Sequence, residues 1–185
     1  MSTLILIIAI AAIVIVAIAV VVRSWHKRRS ESLRDQFGPE YDRTVERTGG
    51  LRAAEQELID RRRRHDDLDL HPLAEDRRVE YLEQWRDAQA LFVDDPARSI
   101  DEADALIRKV MRERGYGDSD FEQRIGAVSV DYPEAVGRYR AAHEVAIRAR
   151  VGDASTEDLR DALANYRALF DELATKSKST PQRVR

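Results

Sequence analysis

The sequence comes closest to a known catalytic pattern at His143 and Glu144, which begin a His-Glu-x-x-x stretch. A zinc-binding helix of the metalloprotease type needs a second histidine one turn later, so that both imidazoles reach one metal ion. Ile147 occupies that position and has no atom that could ligate a metal. We therefore interpret His143, which falls on an apolar helical stripe, as a hydrogen-bonded packing residue.

The remaining candidates for catalysis or metal binding are weaker. His65 and His71 lie six positions apart and Pro72 follows them, so one helical face does not carry both histidines. Acidic pairs at 66–67 and 94–95 are typical of helix caps and ion-pair partners. The chain has no cysteine, no phosphate-binding glycine motif and no nucleophile elbow. The sequence thus predicts no enzyme, and no catalytic, cofactor-binding or metal-binding residues.

Four consecutive arginines, Arg61–Arg64, could neutralise the phosphates of a nucleic acid or the headgroups of an anionic lipid. Two observations oppose a single binding patch. Consecutive residues point around a helix, and each arginine has an acidic residue four positions away, at 57, 60, 66 or 67. The net charge of the chain is -3, whereas a dedicated nucleic-acid binder has an excess of positive charge. We interpret the run as a solvated, self-neutralised helix and do not expect nucleic acid as the partner.

An apolar run near the N-terminus, residues 4–22, reads LILIIAIAAIVIVAIAVVV and contains no polar side chain. At about 1.5 Å per residue its 19 residues span about 28 Å as a helix, close to the ~30 Å of a bilayer core. A cleaved signal peptide would have a Lys or Arg before the apolar run, and this sequence has none there. Ala-Ile-Ala at 17–19 nevertheless resembles a cleavage site. The sequence therefore predicts an uncleaved transmembrane anchor over residues 1–22.

Cationic residues collect directly after this run, in a stretch predicted to be a basic juxtamembrane linker over residues 23–38. Lys and Arg beside a membrane span stay on the cytoplasmic side, and tryptophan favours the interface. The sequence thus predicts a single-pass protein of the cell membrane, with its N-terminus outside and its C-terminal domain in the cytoplasm. The lipid bilayer is then one partner. The predicted membrane-interface residues are Arg23, Trp25, Lys27, Arg28 and Arg29.

The rest of the chain, residues 39–174, carries apolar residues at helical spacing between glycine and proline breaks. Capping-box patterns begin two of the helices, at 119–122 and 155–158. The predicted fold class is all-α, with an N-terminal transmembrane helix followed by a multi-helix bundle of about six helices. Residues 175–185 are polar and basic, and we expect a disordered tail there.

Several stretches of this domain resemble an uncharacterised bacterial family of single-span membrane proteins with a helical domain, whose members carry the labels hypothetical or secreted. The similar stretches are RDQFGPEYDRTVERTG (34–49), FVDDPARSIDEADALIRKVMRERGY (92–116), DFEQRIGAVSVDYPEAVGRYRAAHEVA (120–146) and ASTEDLRDALANYRALFDEL (154–173). The resemblance implies the same architecture, but no activity and no site residues. The label secreted conflicts with the cytoplasmic location predicted for the C-terminal domain, and we retain the location that the charge distribution predicts.

The function predicted from these observations is a membrane-anchored helical module that binds an unidentified protein partner and has no catalytic activity. Two alternatives stay open. One is a ligand-binding or enzymatic site between the helices, which a polar pocket joining His143 and Tyr139 would favour. The other is binding of anionic lipid or nucleic acid through Arg61–Arg64 and the basic tail.

Overall fold

Helices account for all the regular secondary structure in the part of the chain that our computed structural model describes, namely residues 17, 20, 21, 23–25 and 27–175. The continuous helical stretch at 27–37 is α1. The helices that follow are α2 (Pro39–Thr48), α3 (Leu51–Asp66), α4 (Glu75–Leu91), α5 (Pro96–Glu113), α6 (Phe121–Asp131), α7 (Pro133–Arg150) and α8 (Thr156–Thr175). The all-α prediction is confirmed for these residues, with seven helices over 39–175 where about six were expected. The additional break falls at Gly49, whose φ of 72° ends α2 in the left-handed conformation.

The predicted transmembrane helix over residues 1–22 is contradicted, because none of the described helices is both long enough and apolar enough to cross a membrane. Each of them carries acidic or basic residues beside its apolar stripe, whereas a membrane span is apolar on all sides. The same finding contradicts the predicted single-pass location in the cell membrane with a cytoplasmic domain. Apart from residues 17, 20 and 21, the apolar run 4–22 lies outside the described residues.

The stretch predicted as a juxtamembrane linker, residues 23–38, is helical over 27–37 and packs against the domain. At Gly38 the backbone turns with a φ of 47°, and Pro39 then begins α2. The small core that α1, α2 and α3 share consists of Leu33, Phe37, Tyr41, Leu58 and Ile59. At the other end of the chain Thr175 ends α8, and the rest of the predicted tail lies outside the described residues.

A larger core lies between α4, α5, α7 and α8, where each helix buries one apolar stripe. Trp85 of α4 stacks on Phe170 of α8, with the ring centroids 4.6 Å apart. The residues that helical spacing predicted for this core and that are buried in it include Tyr81, Trp85, Ile100, Ala103, Ile107, Val110, Met111, Leu159, Ala162, Tyr166, Leu169, Phe170 and Leu173. Helix α3 packs on α6, and α2 packs on α7, so the smaller core is joined to the larger one through α6 and α7.

The connection between α5 and α6 is fixed at both ends. Gly115 has a φ of +94°, and a Cβ there would lie 2.2 Å from the carbonyl oxygen of Asp69, so only glycine fits. At the other end the Asp120 carboxylate accepts a hydrogen bond of 2.9 Å from the Gln123 amide and caps α6. The cap predicted at Ser119 therefore falls one residue later. This connection forms one rim of the groove between α3 and α6.

Candidate functional site

The four consecutive arginines of α3 are divided between two sides of the helix. Arg61 is only 6 % exposed and lies against Gly126 of α6, and Arg64 lines the same side. Arg62 and Arg63 instead border a crevice of about 360 Å³ between α3 and α1. The four arginines therefore do not form one continuous patch. This agrees with helical geometry, which predicted that consecutive side chains point in different directions.

Only part of the predicted charge pairing along α3 is present in the described residues. Arg61 forms the predicted ion pair with Glu57, whereas Arg63 pairs with Asp60, three residues before it, at 3.6 Å. The side chain of Arg64 has neither an ion-pair nor a hydrogen-bond partner among the described residues. The helix is therefore not fully self-neutralised, and one free guanidinium faces α6.

The largest cavity that we describe is a groove of about 610 Å³ between α3 and α6, here called the α3–α6 groove. Its volume lies within the range of about 300 to 1,000 Å³ that is usual for ligand sites. Arg47 from the end of α2 and the guanidinium groups of Arg61 and Arg64 form one side. The other side consists of the first turn of α6, including Glu122 and Gln123, and of the connection from α5. Cationic side chains from two helices thus converge on one concave surface.

A smaller chamber of about 90 Å³ adjoins the groove and shares Arg47, Arg61 and Glu122 with it. At its inner wall lies Glu40, which is 2 % exposed. One oxygen of Glu40 is 3.5 Å from Nη1 of Arg61, and the other is 3.5 Å from Nε of Arg140. Buried charges need such partners, because water no longer solvates them. Glu40 therefore joins α2 to both α3 and α7 at the base of the site.

Two buried guanidinium nitrogens at this base have no hydrogen-bond partner among the described residues. They are Nη1 of Arg61 and Nε of Arg140. Both face Glu40 at a distance suited to an ion pair but too long for a good hydrogen bond. Buried donors are normally satisfied, so each unpaired donor in a native structure requires an explanation.

Ion pairs along the groove hold the arginines in position. Glu57 accepts hydrogen bonds from Arg47 and from Arg61, and Arg140 donates one of 2.7 Å to Glu122. Burial would raise the pKa of Glu57, but the two arginine hydrogen bonds outweigh burial and hold its pKa below the ordinary value. Glu57 is therefore ionised at neutral pH.

The arginines outnumber the carboxylates around the groove and chamber together. Five arginines and three glutamates line the two cavities, and no lysine or aspartate does. The arginines are Arg43, Arg47, Arg61, Arg64 and Arg140, and the glutamates are Glu40, Glu57 and Glu122. The charges of the lining therefore sum to +2. The convergence of these residues has no signal in the sequence, because they come from helices far apart in the chain and no periodic pattern connects them.

A histidine–aspartate pair behind the groove ties α3 to α6. Nε2 of His65 lies 2.8 Å from Oδ2 of Asp131, and the Tyr116 hydroxyl donates a hydrogen bond of 2.5 Å to the same oxygen. Burial would lower the pKa of His65, but the hydrogen bond and the charge of Asp131 outweigh burial and raise it. Burial would raise the pKa of Asp131, but His65 and Tyr116 outweigh it and lower that pKa. The pair is thus an ionic link when His65 is protonated.

The weak two-histidine metal site is not formed. His71 is exposed, and its Nδ1 lies 3.1 Å from the carbonyl oxygen of Asp69, whereas His65 faces Asp131. Within the described residues no group of three or more metal-binding side chains comes together.

His143 and Tyr139 both contact Asp104, a carboxylate that is buried in the larger core. The Tyr139 hydroxyl donates a hydrogen bond of 3.0 Å to Asp104, and Nδ1 of His143 is 3.5 Å from it. The imidazole ring also stacks on Phe121 at 4.0 Å. Burial would raise the pKa of Asp104, but His143, Arg108 and Tyr139 outweigh it and lower that pKa. A fourth cavity, of about 540 Å³, lies between α4 and α5. Neither this cavity nor the groove, the chamber or the crevice beside α1 is lined by the cluster of Asp104, Tyr139 and His143.

The predicted membrane-interface residues are all exposed, and none of them lines the α3–α6 groove. Trp25 is 77 % exposed, Lys27 pairs with Glu31 at 3.8 Å, and Arg29 borders the crevice between α1 and α3. The remaining members of the set are Arg23 and Arg28.

The resemblance to a bacterial family of helical proteins stays a prediction. No protein-family model, no curated protein and no solved structure matches this chain.

Proposed function

We propose that this chain is a non-enzymatic helical interaction module whose α3–α6 groove binds an acidic segment of a protein partner. The observation that carries the proposal is the convergence of Arg47, Arg61 and Arg64 on one concave surface of about 610 Å³. Guanidinium groups form paired hydrogen bonds with carboxylates, which gives both affinity and orientation.

The groove is suited to binding because its walls are fixed before a partner arrives. The pair of His65 and Asp131 joins α3 to α6, and Glu40 joins α2 to α3 and α7. A preformed site loses little conformational entropy on binding, so more of the contact energy contributes to affinity. Arg64, which has no partner in the described residues, can bind a carboxylate without breaking an existing ion pair.

The two alternative functions have less support. The cluster of Asp104, Tyr139 and His143 brings together the residues that a ligand or enzyme site would use, but none of the four described cavities reaches it. A nucleic-acid or lipid surface would need Arg61–Arg64 to act as one patch, and the run is divided between the α3–α6 groove and the crevice beside α1.

The proposal is tested by fluorescence anisotropy with the full-length protein and two labelled peptides. One peptide alternates glutamate with serine and glycine, and the other has glutamine in place of every glutamate. We expect the glutamate peptide to bind, its affinity to fall as salt is added, and the glutamine peptide to remain unbound. Equal binding of the two peptides would overturn the proposal.

A matched pair of variants tests the location of binding. Arg64→Ala removes the free guanidinium from the groove and should weaken binding of the glutamate peptide at least about tenfold, since hydrogen bonds to charged groups contribute about 1.5–3 kcal/mol and each 1.4 kcal/mol is about a factor of ten. Arg63→Ala removes a neighbouring arginine that lies outside the groove, and should leave the affinity unchanged. The same loss in both variants would indicate nonspecific attraction to the charge of α3.

A further inference from the structure

The chamber beside the α3–α6 groove indicates which chemical group of the partner the site recognises. Resting on the proposed function, we propose that the group recognised there is a phosphorylated side chain of the partner, with its phosphate at the mouth of the chamber. A phosphate monoester differs from a carboxylate in charge, in the number of its oxygens and in their geometry.

The charge of the site matches a dianion. The residues that line the groove and chamber together carry a net charge of +2, and Arg43 has only a distant ion pair, of 4.0 Å, with Glu144. A phosphorylated side chain carries about -1.5 to -2 at neutral pH, whereas a carboxylate carries a single negative charge. One phosphate would therefore neutralise the site, and one carboxylate would leave it positive.

The directions of the arginines also favour a phosphate. Arg47 comes from α2, Arg61 and Arg64 come from α3, and Arg140 comes from α7. Guanidinium groups that approach from three helices suit the three terminal oxygens of a tetrahedral phosphate group better than the two coplanar oxygens of a carboxylate. Clusters of arginine are the usual means by which proteins recognise phosphorylated segments.

Buried donors that make no hydrogen bond, and the available space, support the same location. Arg61 lines both cavities and is 6 % exposed, and its buried Nη1 lies 3.5 Å from Glu40, within an ion pair but too far for a good hydrogen bond. The Nε of Arg140 is a second buried donor at the chamber, at the same distance from the other oxygen of Glu40. The chamber volume of about 90 Å³ exceeds the roughly 10–15 Å³ that one water molecule needs on the same measure, so the chamber has room for several oxygen atoms of a phosphate. Glu40 forms the back wall and keeps the two guanidinium groups at the chamber.

The experiment compares three peptides that differ at one central position, occupied by phosphoserine, glutamate or glutamine, with neutral flanking residues. Binding to the full-length protein is followed by fluorescence anisotropy. We expect the phosphoserine peptide to bind at least tenfold more tightly than the glutamate peptide. Equal affinities of these two, both above the glutamine peptide, would overturn the phosphate inference and leave the proposed function standing. No binding above the glutamine peptide would overturn both.

A pH series supplies a readout that is specific to the dianion. The second pKa of a phosphate monoester is about 6, whereas a glutamate side chain titrates near about 4.3. The ratio of the phosphoserine affinity to the glutamate affinity should therefore fall between pH 7.5 and pH 5.5. His65 also titrates behind the groove, but it acts on both peptides and largely cancels in the ratio. A ratio that stays constant would contradict the inference.

Variants and competition complete the test. Arg47→Gln, at a half-exposed arginine that lines both cavities, should reduce the preference for phosphoserine to less than threefold. Arg63→Gln should leave the preference intact, because Arg63 lines neither cavity. Inorganic phosphate should compete only weakly, because it makes none of the peptide contacts along the groove. Competition by free phosphate at the concentration of the phosphopeptide would identify a site for the free ion and overturn the inference.

Discussion

Glu40 offers the sharpest test of the electrostatic architecture, because Glu40→Gln removes one charge and almost no volume. The carboxylate is 2 % exposed and lies 3.5 Å from a nitrogen of Arg61 and 3.5 Å from a nitrogen of Arg140. Breaking a buried ion pair from one side costs about 3–5 kcal/mol. Here each arginine keeps a second carboxylate, Glu57 or Glu122, so we expect the lower end, about 3 kcal/mol.

Urea denaturation of the full-length protein measures this loss. With a denaturant dependence of about 2 kcal/mol per molar urea, the midpoint should fall by about 1.5 M while the slope stays unchanged. The loss should persist at high salt, since a buried pair is screened far less than an exposed one. Glu144→Gln is the matched control, because the Glu144 side chain is 71 % exposed and its ion pair with Arg43 is 4.0 Å long.

The control variant should change the free energy of unfolding by no more than about 0.5 kcal/mol. A loss below about 1 kcal/mol in Glu40→Gln would refute the reasoning, since the two arginines would then be satisfied without the buried carboxylate. A loss that disappears at high salt would refute it as well, because it would identify an exposed and screened pair.

Two further predictions concern the connections around the groove. Because the pKa of His65 is raised by Asp131, its stabilisation is complete below the unfolded pKa of about 6.5 and is lost as the pH rises through the folded pKa. Urea midpoints should therefore fall on the alkaline side in the wild type but not in His65→Gln, and the same fall in both would contradict the link. Gly115→Ala should cost at least about 2 kcal/mol, because the added Cβ would lie 2.2 Å from a carbonyl oxygen at a positive φ. Gly117→Ala, at a φ of +79° with open space around it, should cost only about 1 kcal/mol in the same urea titration, and equal losses would exclude the steric contact as the cause.

The spacing of apolar residues predicted the larger core, because each helix of a bundle buries one face and residues of that face recur every three or four positions. The residues at this spacing on α4, including Tyr81, Trp85 and Ala88, are buried as expected. The same local criterion produced the wrong prediction of a transmembrane helix. It judged residues 4–22 by their own hydropathy, whereas none of the helices in the described part of the chain is both long enough and apolar enough to cross a membrane.

The candidate groove could not be predicted from helical spacing, because the two members of an ion pair between helices do not lie at a regular spacing in the sequence. Glu40 and Arg140 are a hundred positions apart in the chain and meet only because α2 packs on α7. A glutamate in the first turn after Pro39 is an ordinary helix-start residue by sequence, where a negative charge is favourable. Its burial becomes evident only from the packing of α2 on the rest of the domain.

Helical geometry and tertiary packing together determine the roles of the four arginines of α3. Helical geometry alone predicts that four consecutive arginines cannot form one face, since successive side chains are about 100° apart. Packing then decides the role of each side, because Arg61 and Arg64 meet α6 while Arg62 and Arg63 meet α1. Arg47 joins the first pair from a different helix, and this convergence in space creates the groove. A partner selected by the groove would therefore recognise the fold of the domain, and a peptide with the sequence of α3 alone should not bind the acidic peptides in its place.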